Sequence, residues 1–239
     1  MKLDILAIAA HPDDIELGCS GVMIKEAKKG KKIGIVDLTQ GELGTRGTAE
    51  TRKEEAEAAS MSMKLDIREN LGLPDGFFEN KPAHQLKVIQ AIRKYRPDIV
   101  LTNAPHDRHP DHGRASKLVY DSCFLSGLTK IETTWNGEGQ SAWRPKQVFY
   151  FIQSHYIDPE FIVDISGVIE EKKNAIRCFK SQFLASPDDP VQTFISTPKF
   201  FDGVIQRNAM WGSMIGVEYG EGFISSKKLG LRNLEGLII

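Results

Sequence analysis

The chain has 239 residues, enough for one large α/β domain with a real core. Its 31 Lys and Arg nearly balance 32 Asp and Glu with no basic block, so the electrostatic footprint of a nucleic-acid binder is missing and a small-molecule partner is expected. The apolar start of "MKLDILAIAAHPDD" meets charge at once and shows no small-residue cleavage site, and no apolar stretch is long enough to span a bilayer, so a cytoplasmic chain with no membrane partner is expected.

Strand-like and helix-like runs alternate along the first half. "LDILAIAA" (3–10) reads as a strand, followed by a helix over 17–29, a strand "KIGIVDLT" (32–39) and a charged helix over 48–63. "IRENLGL" (67–73), a helix over 81–95, "DIVLTNA" (98–104) and a helix over 111–126 continue the order. Such alternation predicts a mostly parallel, Rossmann-like α/β sheet with helices on both faces. Gly30 fits a helix C-cap and Pro97 the break before the fourth strand. Beyond residue 130 the pattern loosens: "TTWNGEGQSAW" reads as loop, "QVFYFIQ" and "FIVDI" as strands, then helices over 167–184 and 198–211, with "GVEYGEGFIS" near the end. This second half is expected as a cover forming one side of a cleft, within a single domain over 1–239. Cys19, Cys123 and Cys178 are scattered and odd in number, which favours buried, reduced thiols over a disulfide framework.

Chemistry concentrates at two strand ends, where open parallel sheets collect ligands. "HPDD" (11–14) follows the first strand and "HDRHPDH" (106–112) the fourth, which a doubly wound order can set beside the first. Adjacent carboxylates raise each other's pKa and repel, so a cation or shared proton is expected among them. His11, Asp14 and His112 make a two-nitrogen, one-oxygen set suited to one zinc ion per chain with a position left for water. Asp13 remains free as general base. His109 cannot easily share the metal with His112 across the intervening "PD"; instead it faces substrate as an imidazolium held by Asp111, stabilising an oxyanion or protonating an amine. Alone, each short motif also reads as a helix-entry turn with an aspartate cap. His84 and His155 are expected to be structural or solvated. Gly41, Gly44 and Gly47 match no phosphate-binding fingerprint and read as a flexible substrate loop. Arg46, Arg52 and Arg108 border the same strand ends, and at least one is expected to bind an anionic group.

The two histidine motifs together resemble the PIG-L, or LmbE-like, family of zinc-dependent N-acetylglucosamine deacetylases. "DLTQGELGTRGTAETRKEEAEAA", "NLGLPDG", "DRHPDHGRASKL" and "CFKSQF" extend the resemblance over nearly the whole chain, in particular toward the subgroup that deacetylates N-acetylglucosaminyl malate in bacillithiol biosynthesis. The resemblance implies metal ligands His11, Asp14 and His112, base Asp13, an oxyanion-stabilising His109 with partner Asp111, and a substrate-binding Arg52. It also implies a small GlcNAc-conjugate substrate and a homo-oligomer. Where some relatives offer a tyrosine hydroxyl, "TPKFFDGVI" carries Phe200 and Phe201. Other GlcNAc conjugates, an inositol glycoside or a chito-oligosaccharide, are the alternative substrates. An Fe(II) facial-triad oxygenase would share the donor set but has no use for Asp13 as a base. A nucleotide-binding module would need a glycine fingerprint where "AHPDD" stands.

Overall fold

The computed structural model describes residues 1–185, 189, 191–231 and 233–238. In chain order the elements are β1 (Ile5–Ala9), α1 (Asp14–Gly18), α2 (Ser20–Lys28), β2 (Ile33–Asp37), α3 (Ala49–Met63), β3 (Ile67–Asn70), α4 (Pro82–Tyr95), β4 (Ile99–Asn103) and α5 (Pro110–Leu125). The second half holds β5 (Thr134–Trp135), β6 (Glu138–Gly139), β7 (Gln147–Phe151), β8 (Phe161–Asp164), α6 (Ile169–Arg177), α7 (Lys180–Phe183), α8 (Pro198–Met214) and β9 (Gly220–Ser225).

Seven strands form one sheet in the order β3-β2-β1-β4-β7-β9-β8. The pairs from β3 to β7 are parallel, and β9 runs antiparallel between β7 and β8. β1 is buried on both faces because its side chains alternate between two cores. Leu6 and Ile8 join Val88, Ile92, Leu118 and Val119 of α4 and α5. Ile5, Ala7 and Ala9 join Met23, Ile169 and Ala175 of α2 and α6. A third cluster packs Leu17 of α1 against Ala59, Phe179, Phe183 and Val204, and this is the C-terminal cover. The fold is the α/β, Rossmann-like arrangement that the alternation predicts. Among the described residues, no helix is long and apolar enough to cross a membrane.

Three local expectations are corrected. The helix expected over 17–29 begins at Asp14 and breaks at Cys19. The one expected over 167–184 is interrupted at Cys178–Phe179, where Phe179 turns into the third core. The stretch read as loop holds the β5–β6 hairpin, whose Asn136 and Gly137 both take positive φ, the signature of a tight primed turn. The three cysteines are free; Cys19 and Cys123 are buried, Cys178 only partly.

Candidate active site

The strand order reverses at β1, between β2 and β4, and the crevice at the carboxyl ends of these strands gathers both histidine motifs. A cleft of about 480 Å³ opens there, within the size range of small-molecule sites. Its lining includes His11, Asp13, Asp14, His109 and His112, with Phe200 of α8 on the cover side.

Asp14 lies at the centre. Its Oδ1 stands 3.1 Å from His112 Nε2 and accepts from Gln153 Nε2 at 2.8 Å. Its Oδ2 accepts from the His11 backbone N–H at 3.0 Å and from Asn103 Nδ2 at 3.2 Å, and lies 3.5 Å from His11 Nδ1. Burial opposes the Asp14 charge, but His112 and hydrogen bonds from both imidazoles hold its carboxyl well below the usual carboxylate range. Conversely, burial disfavours charge on His112, yet Asp14 and Asp107 push it up to about 9. Each imidazole is turned by a carboxylate on its far nitrogen: His11 Nε2 meets Asp75 Oδ1 at 3.0 Å, and His112 Nδ1 meets Asp107 Oδ2 at 2.6 Å. That is how proteins fix the orientation and basicity of metal-binding histidines.

Asp13 sits at the entry to α1 with φ 124°, a backbone region that costs a non-glycine residue about 1–3 kcal/mol and that clusters at functional sites. Its Oδ2 lies 3.0 Å from Arg52 Nη2, and the same guanidinium donates to the Pro12 carbonyl. Burial dominates and pushes the Asp13 carboxyl up to about 7, against the opposing charge of Arg52. Arg52 projects from the first turn of α3, where Thr48 caps the helix by accepting from Thr51 N–H.

His109 departs from expectation in two ways. Its ring centroid lies 4.7 Å from that of His11 and 5.3 Å from that of His112, and one donor atom from each of the three rings falls within 4.8 Å of the others. The intervening Pro110 and Asp111 therefore do not keep it from His112, because α5 starts there and turns both rings to the same side. Nor does the Asp111 carboxylate hold His109: it accepts from Gly76 N–H at 2.8 Å and Arg114 Nη1 at 2.6 Å, and lies 3.4 Å from His11 Nε2. The Asp111 backbone N–H instead donates to His109 Nδ1 at 3.3 Å, as a helix-cap bond. With Nδ1 accepting, the proton of a neutral ring resides on Nε2. Burial, joined by the charges of His11 and His112, lowers the His109 pKa and disfavours the imidazolium.

The arginines also separate. Arg46 donates to the carbonyls of Ser181 and Val191 and pairs with Asp189 at 3.0 Å, so its guanidinium is committed to clamping the glycine loop onto the cover. Arg108 is exposed at the mouth, its guanidinium 4.9 Å from the Phe194 ring centroid. Phe200 lies against Phe183 and Phe194, while Phe201 packs under Arg177 away from the cleft lining.

Sequence reasoning missed Asp75, Asn103, Asp107 and Gln153. Asp107 was visible within "HDRHPDH", five positions before a histidine; the other three emerge only when the carboxyl ends of β3, β4 and β7 line up along one edge of the sheet with that of β1. His84 is structural, its Nδ1 paired with the backbone of Glu79. His155 is exposed, and its backbone N–H donates to Asp107.

Comparison with known proteins points the same way. Residues 6–123 match the PIG-L family, described as GlcNAc-PI de-N-acetylase. The solved structure of a conserved protein from Thermus thermophilus superposes with a TM-score of 0.85 at 36% identity, over 96% of this chain and 98% of that one. The diacetylchitobiose deacetylase of Thermococcus kodakarensis is 28% identical over 91% of this chain and 81% of its own. The uncharacterized deacetylase YaiS of Escherichia coli is 30% identical over 70% of this chain and 90% of its own. With both histidine motifs on adjacent strand ends of a matching fold, the chain belongs to the PIG-L family of N-deacetylases.

Proposed function

We propose that the chain hydrolyses the N-acetyl amide of an N-acetylglucosamine conjugate, using one zinc ion per chain held by His11, Asp14 and His112. The observation that carries this reading is the convergence of two carboxylate-oriented imidazoles on Asp14, whose two oxygens also accept from Gln153, Asn103 and the His11 N–H. The donor set suits such an ion: the Asp14 carboxylate stands 3.5 Å from His11 Nδ1 and 3.1 Å from His112 Nε2, and two nitrogens with one oxygen leave a fourth position for water or substrate. A cation bound there supplies Lewis-acid polarisation of a carbonyl and lowers the pKa of water. In this reading Asp13 takes the proton of the attacking water and returns it to the departing amine, and Arg52 fixes the orientation of its carboxylate. His109 donates from Nε2–H to the oxyanion that develops on the acetyl oxygen, and acts as a neutral donor. Phe200 supplies an apolar wall where a hydroxyl helper would otherwise stand.

The finer substrate we propose is N-acetylglucosaminyl malate, as in bacillithiol biosynthesis. Arg108 is the guanidinium at the mouth that remains able to bind a malyl carboxylate, since Arg46 is committed elsewhere and Arg52 is buried on Asp13. A second reading, a chito-oligosaccharide, is favoured by the similarity to a diacetylchitobiose deacetylase. Free amine release from GlcNAc-malate, a GlcNAc inositol glycoside and diacetylchitobiose separates them: the malate reading requires the highest kcat/KM on the malyl glycoside, and faster turnover of diacetylchitobiose would replace it. We further propose that residues 1–239 form one domain acting in the cytoplasm as a homo-oligomer.

A further inference from the structure

The short helix that carries Asp14 ends abruptly. α1 has five residues, α2 resumes one residue later, and Cys19 between them has φ −148° and ψ 17°. A helix break inside a buried segment leaves carbonyls at one end and N–H groups at the other that must find partners. Here two charged side chains from the second half of the chain supply them. Lys172 of α6 donates from Nζ to the carbonyls of Leu17 at 2.9 Å and Glu16 at 3.2 Å, and to Glu221 Oε1 at 2.7 Å. Glu221 of β9 accepts from Gly21 N–H at 2.9 Å and from Val22 N–H at 2.7 Å. Both side chains are fully buried. The ammonium thus meets the negative end of α1 and the carboxylate the positive end of α2, the favourable sense for each helix dipole.

The break is also sterically built. A Cβ at Gly21 would stand 2.9 Å from Glu221 Oε1 and from Ile165, and one at Gly18 would stand 2.2 Å from Phe151 Cδ2. Gly21 therefore allows the close approach of Glu221, and Gly18 makes room for Phe151 beside the break. From the break to the site the path is short. Leu17 N–H donates to the Asp13 carbonyl at 3.0 Å, and the Leu17 carbonyl is the nearer of the two that Lys172 binds. Asp13, with its φ of 124°, and Asp14 are thereby tied to Lys172 through a single residue.

We infer that Lys172 and Glu221 are positioning residues: the buried pair holds the α1–α2 break and, through Leu17, the orientation of Asp13 and Asp14. This inference rests on the proposed metal site at Asp14. If the pair served stability alone, its loss would lower the melting temperature and leave the intact protein's metal affinity unchanged. A positioning pair instead affects the site in the folded state.

The test measures zinc affinity by competition with a chromophoric chelator, on metal-stripped full-length protein well below its melting temperature, together with kcat and KM. Glu221→Gln and Lys172→Met are compared with Lys172→Met/Glu221→Met, which leaves no unpaired buried charge and so regains part of the stability lost in the single variants, while the backbone groups at the break stay without their side-chain partners. Glu221→Asp retains the charge and serves if the single variants fail to fold. We expect zinc affinity weakened about ten- to a hundredfold, the usual effect of disturbing groups that orient metal ligands, with kcat lowered and KM little changed. The weakening persists in the double variant although its melting temperature rises above those of the single variants. Wild-type zinc affinity in folded Glu221→Asp or the double variant overturns the positioning role. Absence of zinc binding by the wild type overturns the metal site itself and this inference with it.

Discussion

Arg52 sets a guanidinium nitrogen 3.0 Å from the Asp13 carboxylate, with both side chains buried at the floor of the cleft. A base so placed should lose function when its partner is removed, even though its own atoms remain. Asp13→Asn is expected to keep zinc and lose about two to four orders of magnitude in turnover, the range for a lost general base. Arg52→Met should lower kcat as well, and the double variant should be little worse than Asp13→Asn alone, because the two act as a unit. Additive losses would show that Arg52 acts on the substrate independently of Asp13.

His112→Ala is expected to abolish metal uptake and turnover together. Asp107→Asn tests the carboxylate behind it: the amide can still meet Nδ1 but holds it less firmly, so zinc affinity should fall about ten- to a hundredfold. Metal analysis after dialysis against chelator reads both. Full occupancy in His112→Ala would reject the ligand assignment.

Replacing His109 with Ala should lower kcat more than it raises KM, because the charge it meets exists only along the reaction path. Since Nδ1 accepts the Asp111 N–H, His109→Gln, which keeps a side-chain N–H donor, is expected to retain more kcat than His109→Ala. Equal kcat in the two variants would contradict a donor role.

Arg108→Met should weaken kcat/KM for GlcNAc-malate by about 1–3 kcal/mol, the contribution of a hydrogen bond to a charged group, while sparing methyl-GlcNAc. Arg46→Met should instead lower the melting temperature and affect both substrates alike, because its guanidinium joins the glycine loop to the cover. An Arg108 variant that loses equally on both substrates would reject malate recognition.

Gly18→Ala is expected to destabilise the fold by about 1–3 kcal/mol, as overpacked cores do, because its Cβ would fall 2.2 Å from Phe151 Cδ2. Thermal melting measures this, and an unchanged melting temperature would show that Phe151 moves aside freely.

The parallel core was legible in the sequence because Ile5–Ala9, Ile33–Asp37 and Ile99–Asn103 are apolar runs separated by helical periods, and a doubly wound order then sets the two histidine motifs side by side. That His11, Asp13, Asp14 and His112 gather at one cleft was readable from residue type and spacing. The groups that orient them were not: Asp75, Asn103 and Gln153 are ordinary residues until three strand ends converge. The expected carboxylate partner of His109 was not legible, because Asp111 turns its carboxylate toward Gly76 and Arg114 and offers only its backbone N–H, a choice set by the first turn of α5. The break at Cys19 left no periodicity signal, since Lys172 lies 155 positions from the Leu17 carbonyl it binds and Glu221 lies 200 positions from the Gly21 N–H.

The most direct test of the central claim is the stoichiometry of acetate and free amine released from a GlcNAc conjugate by protein stripped of metal and then titrated with zinc. A one-zinc deacetylase gives no turnover when stripped, one acetate for each amine once zinc is returned, and a rate that saturates at one equivalent per chain. Undiminished release without metal, or saturation only beyond one equivalent, would contradict it.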